Sequence, residues 1–216
     1  MKYSAVIFDL DGTLLNTLED LMDATNYALE QYGYPIRTID EIRNFVGNGA
    51  RKLIERALPD GTENPDFEEI LSVFRSYYTV HCEDKTHAYN GVKDLLQALK
   101  SAGCKIAIVS NKPDNAVKEL NQTHFHDFIQ SAIGEKEGIQ RKPAPDMVEN
   151  ALAELNAHKK ETVYIGDSDV DIQTAANAGL DCISVSWGFR DAEFLQRCGA
   201  SIIADTPQQV YDLILR

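Results

Sequence analysis

The chain has 216 residues, 44% of them hydrophobic and 25% charged, and a formal net charge of −13. That length suits one large domain, or a core domain with a smaller insert, of ordinary globular composition. A surface this acidic repels nucleic acid and anionic membranes, so neither is expected as a partner, and a small anionic substrate needs a local positive site built from a metal, a few Lys or Arg residues and helix N-termini.

The first predicted element is a short buried strand over Ser4 to Phe8, broken by Gly12. Directly behind it stands Asp9-Leu10-Asp11-Gly12-Thr13. In α/β folds the carboxyl ends of strands line the binding crevice. Two acids at a strand end serve chemistry or a hard cation; the competing reading is an Asp-Gly turn with capping Asp and Thr. From about Thr17 to Glu83 no strand is predicted. Leu18, Leu21, Met22, Thr25 and Leu29 recur at helical spacing, as do Leu53, Ile54, Ala57 and Leu58, then Phe67, Ile70, Leu71, Phe74 and Tyr78. Gly33 and Pro35 end the first helical segment, and Pro59 to Pro65 separates the later ones.

The rest of the chain alternates. Strands are predicted at Lys105 to Val109, Phe128 to Ile133, Thr162 to Ile165 and Cys182 to Val185, with a short sixth at Ser201 to Ala204. Helices are predicted at Val92 to Ser101, Asp114 to Thr123, Asp146 to Leu155, Asp169 to Ala178 and Pro207 to Leu215. This order predicts an α/β fold: a Rossmann-like parallel sheet core with helices on both faces, plus a small all-helical domain inserted after the first strand. The expected division is 1–15 and 84–216 for the core and 16–83 for the insert. An insert at that point either lies over the first strand's carboxyl end as a lid or extends the packing of the core.

No apolar stretch approaches bilayer length, and the N-terminus enters a strand with no basic region or cleavage site. A cytoplasmic protein is the simplest reading, as monomer or homodimer. Cys82, Cys104, Cys182 and Cys198 form no Cys-x-x-Cys pair and read as reduced thiols. His124 and His126 lack an acidic or cysteine partner nearby in sequence, which favours a surface or packing role over a metal site.

Three more segments bring polar residues to the same edge of the expected sheet: Ser110-Asn111-Lys112, Lys142-Pro143 and Gly166-Asp167-Ser168-Asp169-Val170-Asp171. Singly, Ser110 reads as a helix cap, Lys142 as a surface charge and Asp167 to Asp169 as a turn. Together they form a site. Asp9, Asp11 and Asp167 would converge, and two like charges about 4 Å apart cost roughly 4 kcal/mol at a surface-like dielectric. A hard divalent ion or a nearby Lys removes that penalty. Mg²⁺ fits best, because it takes one or two carboxylates plus phosphate and waters; Ca²⁺-loop spacing and thiolate or imidazole sets are absent from the sequence.

Asp-x-Asp-Gly-Thr, the strand-end Ser, the Lys-Pro and the Gly-Asp-x-x-x-Asp, in this order from Asp9 to Asp171, resemble the four motifs of the haloacid dehalogenase superfamily of aspartyl phosphotransferases. The helical insert resembles that family's small cap. The resemblance implies that Asp9 is the nucleophile, that Asp11 exchanges a proton with the leaving oxygen and then with water, and that Ser110 and Lys142 bind the phosphoryl oxygens. It also implies that Asp167 holds Mg²⁺ with the Asp9 carboxylate and the Asp11 carbonyl, and that Asp171 supports the metal or its waters. Asn111 and Thr13 are placed at the substrate.

Asp11 argues for phosphate esters over carbon–halogen bonds, since dehalogenases of this superfamily generally lack the second acid. Ile42 to Leu53, Ser110 to Pro113 and Trp187-Gly188-Phe189 are similar to phosphoglycolate phosphatases. In the first of these, Gly47 and Gly49 flank Asn48 in a loop that either presents backbone donors to a small anion or only makes a tight turn, and Arg51 or Lys52 would pair with a substrate carboxylate. The expected function is Mg²⁺-dependent hydrolysis of a small anionic phosphate ester. The alternatives are a β-phosphoglucomutase-like sugar phosphomutase, a broad sugar-phosphate or nucleotide phosphatase, a pyrophosphatase, or a non-catalytic binding module on the same fold.

Overall fold

Ala5, Val6, Ile7 and Phe8 are all buried and form the strand around which the sheet is ordered. The computed structural model describes residues 2–215. In chain order the elements are β1 (Ala5–Phe8), β2 (Leu15–Asn16), α1 (Leu18–Gln31), α2 (Ile39–Phe45), α3 (Gly49–Ala57), α4 (Phe67–His81), β3 (His87–Ala88), α5 (Val92–Ser101), β4 (Lys105–Pro113), α6 (Asp114–His124), β5 (Ser131–Glu135), α7 (Asp146–Leu155), β6 (Thr162–Gly166), α8 (Asp169–Ala178), β7 (Asp181–Val185), α9 (Ala192–Arg197), β8 (Ile203–Ala204) and α10 (Pro207–Leu215).

Six strands form one parallel sheet in the order β5-β4-β1-β6-β7-β8. The order reverses at β1, and such switch points are where open α/β sheets bind ligands. Register decides which residues arrive there. Phe8 stands opposite Ile108 on one side and Ile165 on the other. The next positions, Asp9, Val109 and Gly166, are therefore level, and Ser110 and Asp167 lie one step beyond.

Both faces of the sheet are covered, so its central strands read as unbroken apolar runs. Val6, Phe8, Ile106, Ile108, Val163 and Ile165 pack with Leu96 and Leu99 of α5, Val117 of α6 and Val210 of α10. Ala5, Ile7, Ala107, Val109 and Tyr164 face the other way, against Met147, Val148 and Ala151 of α7 and Ala175 of α8. Where β4 meets β5 the register shifts between Val109 and Pro113. The irregularity falls on Ser110, Asn111 and Lys112, consistent with the use of bulges to re-aim side chains beside sites.

The chain forms two compact units, Met1–Leu15 with Ala88–Arg216, and Asn16–His87. The second unit is helical. Ala24, Ala28 and Leu29 of α1 and Ile70, Leu71 and Phe74 of α4 are buried, and these two helices pack together. Thr38 starts α2 with a capping box to Glu41. Residues 84–87, assigned from the sequence to the core, cluster with the helices instead. The reason is Asp20 in the first turn of α1, which is buried and accepts Lys85 N at 3.0 Å and Thr86 N at 2.8 Å. The two-residue strands β2 and β3 pair as a separate ribbon where the chain leaves the sheet-bearing unit and returns to it.

Candidate functional site

Asp9 leaves β1 with its N–H donating to Ile165 O at 2.8 Å, and the following turn is held by Leu10 O, which accepts from Leu14 N and Leu15 N at 3.0 Å. Gly12 sits at φ +88°, and a Cβ there would lie 2.3 Å from Asp167 Oδ2. Only glycine lets this turn adopt that backbone and approach Asp167 so closely.

The motif around Asp167 is a helix start with a second use. Ser168 caps α8 and accepts Asp171 N at 3.3 Å, while Asp171 Oδ2 accepts Ser168 N at 3.1 Å and the Ser168 hydroxyl at 2.5 Å. The spacing of a capping box thus folds the Asp171 carboxylate back toward the strand end. Its other oxygen, Oδ1, accepts from Lys142 Nζ at 2.8 Å and from the Tyr164 hydroxyl at 3.1 Å. Both Asp171 oxygens are engaged by protein donors, which makes this acid a brace. Asp167 is held from outside the motif: Phe189 N donates to Oδ2 at 2.7 Å and Thr13 Oγ1 to Oδ1 at 3.4 Å. Trp187 Nε1 in turn donates to Thr13 O at 3.0 Å, tying the segment after β7 to the turn after β1.

Lys142 lies at the centre, with its side chain 3% exposed. Nζ donates to Asp9 Oδ1 at 2.7 Å, to Asp171 Oδ1 at 2.8 Å and to Tyr164 Oη at 3.2 Å. Asn111 holds its main chain: Oδ1 accepts Lys142 N at 2.8 Å and Nδ2 donates to Lys142 O at 3.1 Å. The Lys142–Pro143 bond is cis. Burial alone would favour the neutral amine, but Asp171 and Asp9 outweigh it and hold the ammonium pKa well above its usual value.

The acids outnumber that ammonium. One carboxylate oxygen from each of Asp9, Asp167 and Asp171 lies within 4.8 Å of the others, all three residues buried. Burial, with Asp171 and Asp167 beside it, pushes the Asp9 pKa well up against the pull of Lys142. Burial and the Asp171 charge push Asp167 to about 7, against the Phe189 N–H and Arg190. Three buried acids facing one ammonium call for further positive charge, and an all-oxygen set suits a hard divalent ion such as Mg²⁺.

Asp11 stands apart from this cluster. Its carboxylate is 21% exposed and Oδ1 accepts from Lys112 Nζ at 2.9 Å. Ser110 is buried and its Oγ accepts Lys112 N at 3.2 Å. It does not cap α6, which begins at Asp114.

Several residues placed at the substrate from the sequence are turned elsewhere. Thr13 is fully buried and serves Asp167; the Asn111 amide clasps Lys142. In the helical unit Gly47 and Gly49 both have positive φ, +110° and +80°, and Asn48 between them is bonded through Oδ1 to Arg56 Nη2 at 2.9 Å, while Arg56 Nη1 donates to Phe45 O at 2.6 Å. Arg51 makes a two-point pair with Glu68, at 2.6 and 3.1 Å, and lies over the Phe67 ring; Lys52 pairs with Glu55. Both cations proposed for a substrate carboxylate are thus paired with glutamates of their own unit.

Sequence reasoning named Lys112 within the Ser110-Asn111-Lys112 segment but gave it no role, and it did not single out Tyr164, Arg56 or Asp20. Tyr164 lies inside β6, two residues ahead of Gly166-Asp167, and Lys112 closes the Ser110-Asn111-Lys112 segment near the end of β4; those places are the signal that could have marked them. Arg56 and Asp20 carry no such signal.

A family profile described as haloacid dehalogenase-like hydrolase matches residues 6–185. The chain belongs to the haloacid dehalogenase-like hydrolase family. Among its relatives of that kind, a phosphoglycolate phosphatase of Psychrobacter arcticus is 34% identical over 100% of this chain and 97% of its own length. One from Rhodobacter capsulatus is 38% identical over 86% of this chain and 85% of its own. A crystal structure from Lactobacillus delbrueckii subsp. bulgaricus matches with a TM-score of 0.96 at 41% identity, covering 100% of this chain and 99% of the other. Among the described residues, no helix of this family member is long and apolar enough to cross a membrane.

Proposed function

We propose that this hydrolase is a cytoplasmic, Mg²⁺-dependent phosphatase that cleaves a small phosphate monoester of the phosphoglycolate type through an aspartyl-phosphate on Asp9. The carrying observation is the buried meeting of Asp9, Asp167 and Asp171 around Lys142 at the sheet's switch point. The full-length relatives named phosphoglycolate phosphatase support the substrate class.

Asp9 and Asp167, with the Asp11 carbonyl, are the residues that would hold Mg²⁺, and Asp171 braces them. The bound ion supplies positive charge that screens the acids from the incoming phosphate and neutralises charge on its oxygens. Asp9 attacks phosphorus as the ester P–O bond breaks, and the leaving oxygen takes a proton from Asp11. Water then attacks the acyl phosphate and returns a proton to Asp11, and Asp9 regains its carboxylate. Lys142 and Ser110 steady the phosphoryl oxygens, which spread charge in a loose transition state.

The testing experiment is a panel of phosphoglycolate, sugar phosphates, nucleotides and pyrophosphate, ranked by kcat/KM with and without Mg²⁺. Phosphate release led by phosphoglycolate and lost on chelation supports the reading. Glucose 6-phosphate formed from β-glucose 1-phosphate would replace it with a mutase, and no turnover of any ester with a binding module.

A further inference from the structure

We propose that Lys112 is a positioning residue for proton transfer, holding the Asp11 carboxylate where it meets the leaving oxygen; this rests on the phosphatase reading above. Four acids adjoin the site, and they differ in setting. Asp9, Asp167 and Asp171 are buried, and Lys142 bonds to Asp9 and Asp171, whereas the Asp11 side chain is 21% exposed and pairs with Lys112. It is the acid with an open side, and its partner is a second lysine.

Lys112 is itself buried, with its side chain 4% exposed, and Nζ lies 2.9 Å from Asp11 Oδ1. Burying an ammonium is costly unless a specific partner compensates it. Two features aim it. The register irregularity of β4 falls between Val109 and Pro113, and Lys112 N is tied back to Ser110 Oγ at 3.2 Å. A charge-assisted hydrogen bond to Oδ1 stops rotation of the carboxyl group and leaves Oδ2 to exchange the proton. The cluster thus assigns its two buried lysines to different acids: Lys142 to the attacking Asp9, and Lys112 to Asp11, which serves the departing oxygen.

A residue that acts through a general acid has a signature that a structural residue lacks. Formation of the aspartyl-phosphate is reported by kcat/KM. An alkyl leaving group needs a proton in that step, and p-nitrophenolate does not. The experiment compares Lys112→Met with the unaltered enzyme on phosphoglycolate, or the alkyl ester it cleaves best, and on p-nitrophenyl phosphate. The expected loss in kcat/KM is about 100-fold for the alkyl ester and less than about fivefold for p-nitrophenyl phosphate, the range general acid catalysis spans. In an Asp11→Asn background the same substitution adds less than about twofold, because coupled residues are not additive. Lys112→Arg, which keeps a cation, recovers part of the alkyl-ester loss and stands in if Lys112→Met does not fold. Equal losses on both esters, or an undiminished loss in the Asp11→Asn background, overturn the proposal and make Lys112 a phosphoryl-binding or structural residue. If the unaltered enzyme cleaves neither ester, the phosphatase reading fails first and takes this proposal with it.

Discussion

The side chain of Asn111 grips the main chain of Lys142 at two points, 2.8 Å from its N–H and 3.1 Å from its carbonyl, both residues buried. Asn111 therefore fixes where the Lys142 side chain starts, while Asp9, Asp171 and Tyr164 fix where it ends. Asn111→Ala leaves the ammonium in the protein but frees its backbone. A misplacement of this kind lowers kcat by roughly 100-fold. Lys142→Met, which removes the charge itself, lowers it at least as far, by roughly 100- to 1,000-fold. Steady-state kinetics of both variants checks the order; an Asn111→Ala enzyme with unaltered kcat would remove the clasp from the account.

The acid cluster predicts how pH and Mg²⁺ interact. Asp167 rises from an ordinary 3.8 to about 7 among the buried acids. Between those values the folded state holds a proton that the unfolded state has lost, so this group's contribution to stability falls as pH rises from about 4 to about 7. On the proposed function, bound Mg²⁺ would replace that proton. The rise in Tm on adding Mg²⁺ is therefore expected to be larger at pH 8 than at pH 5.5. Thermal melts at the two pH values, with and without the ion, decide this, and an equal rise at both would contradict it.

Asp20 predicts a stability effect independent of catalysis. It is 2% exposed and accepts the N–H groups of Lys85 and Thr86, where the chain prepares to leave the helical unit. Asp20→Ala removes the acceptor of both N–H groups, and leaving the buried Thr86 N–H unpaired costs about 1–3 kcal/mol. Denaturant unfolding should show a lower midpoint with kcat/KM altered far less than by Lys142→Met. An unchanged midpoint would mean that water replaces the carboxylate without loss.

What could be read from the sequence follows the strength of each local signal. α5, α7, α8 and α10 fall at the bounds their periodicity predicts, because each has an apolar stripe and a clear stop. β5 is displaced: Phe128 and Ile129 read as strand, yet the strand runs Ser131–Glu135, and both residues instead pack against the core from the preceding loop. β2, β3 and the six-residue α9 are too short to show a period. At the site, Asp9, Ser110 and Asp167 could be placed together because each ends an apolar run in a parallel sheet. The pairings could not. Lys112 meets Asp11 across 101 positions of sequence and Asn111 meets Lys142 across 31. The irregular end of β4 aims Asn111 and Lys112 and has no pattern in the sequence, whereas the turn after β1 is announced by Asp11-Gly12.

The central claim is that Asp9 carries the phosphoryl group. The direct measurement is acid quenching during turnover of a phosphate ester with Mg²⁺, followed by peptide mass analysis. The account predicts one phosphoryl group on the peptide containing Asp9, labile to hydroxylamine as an acyl phosphate is, and neither label nor turnover in Asp9→Asn. Near-native turnover by Asp9→Asn, or a phosphoryl group on any other residue, would contradict it.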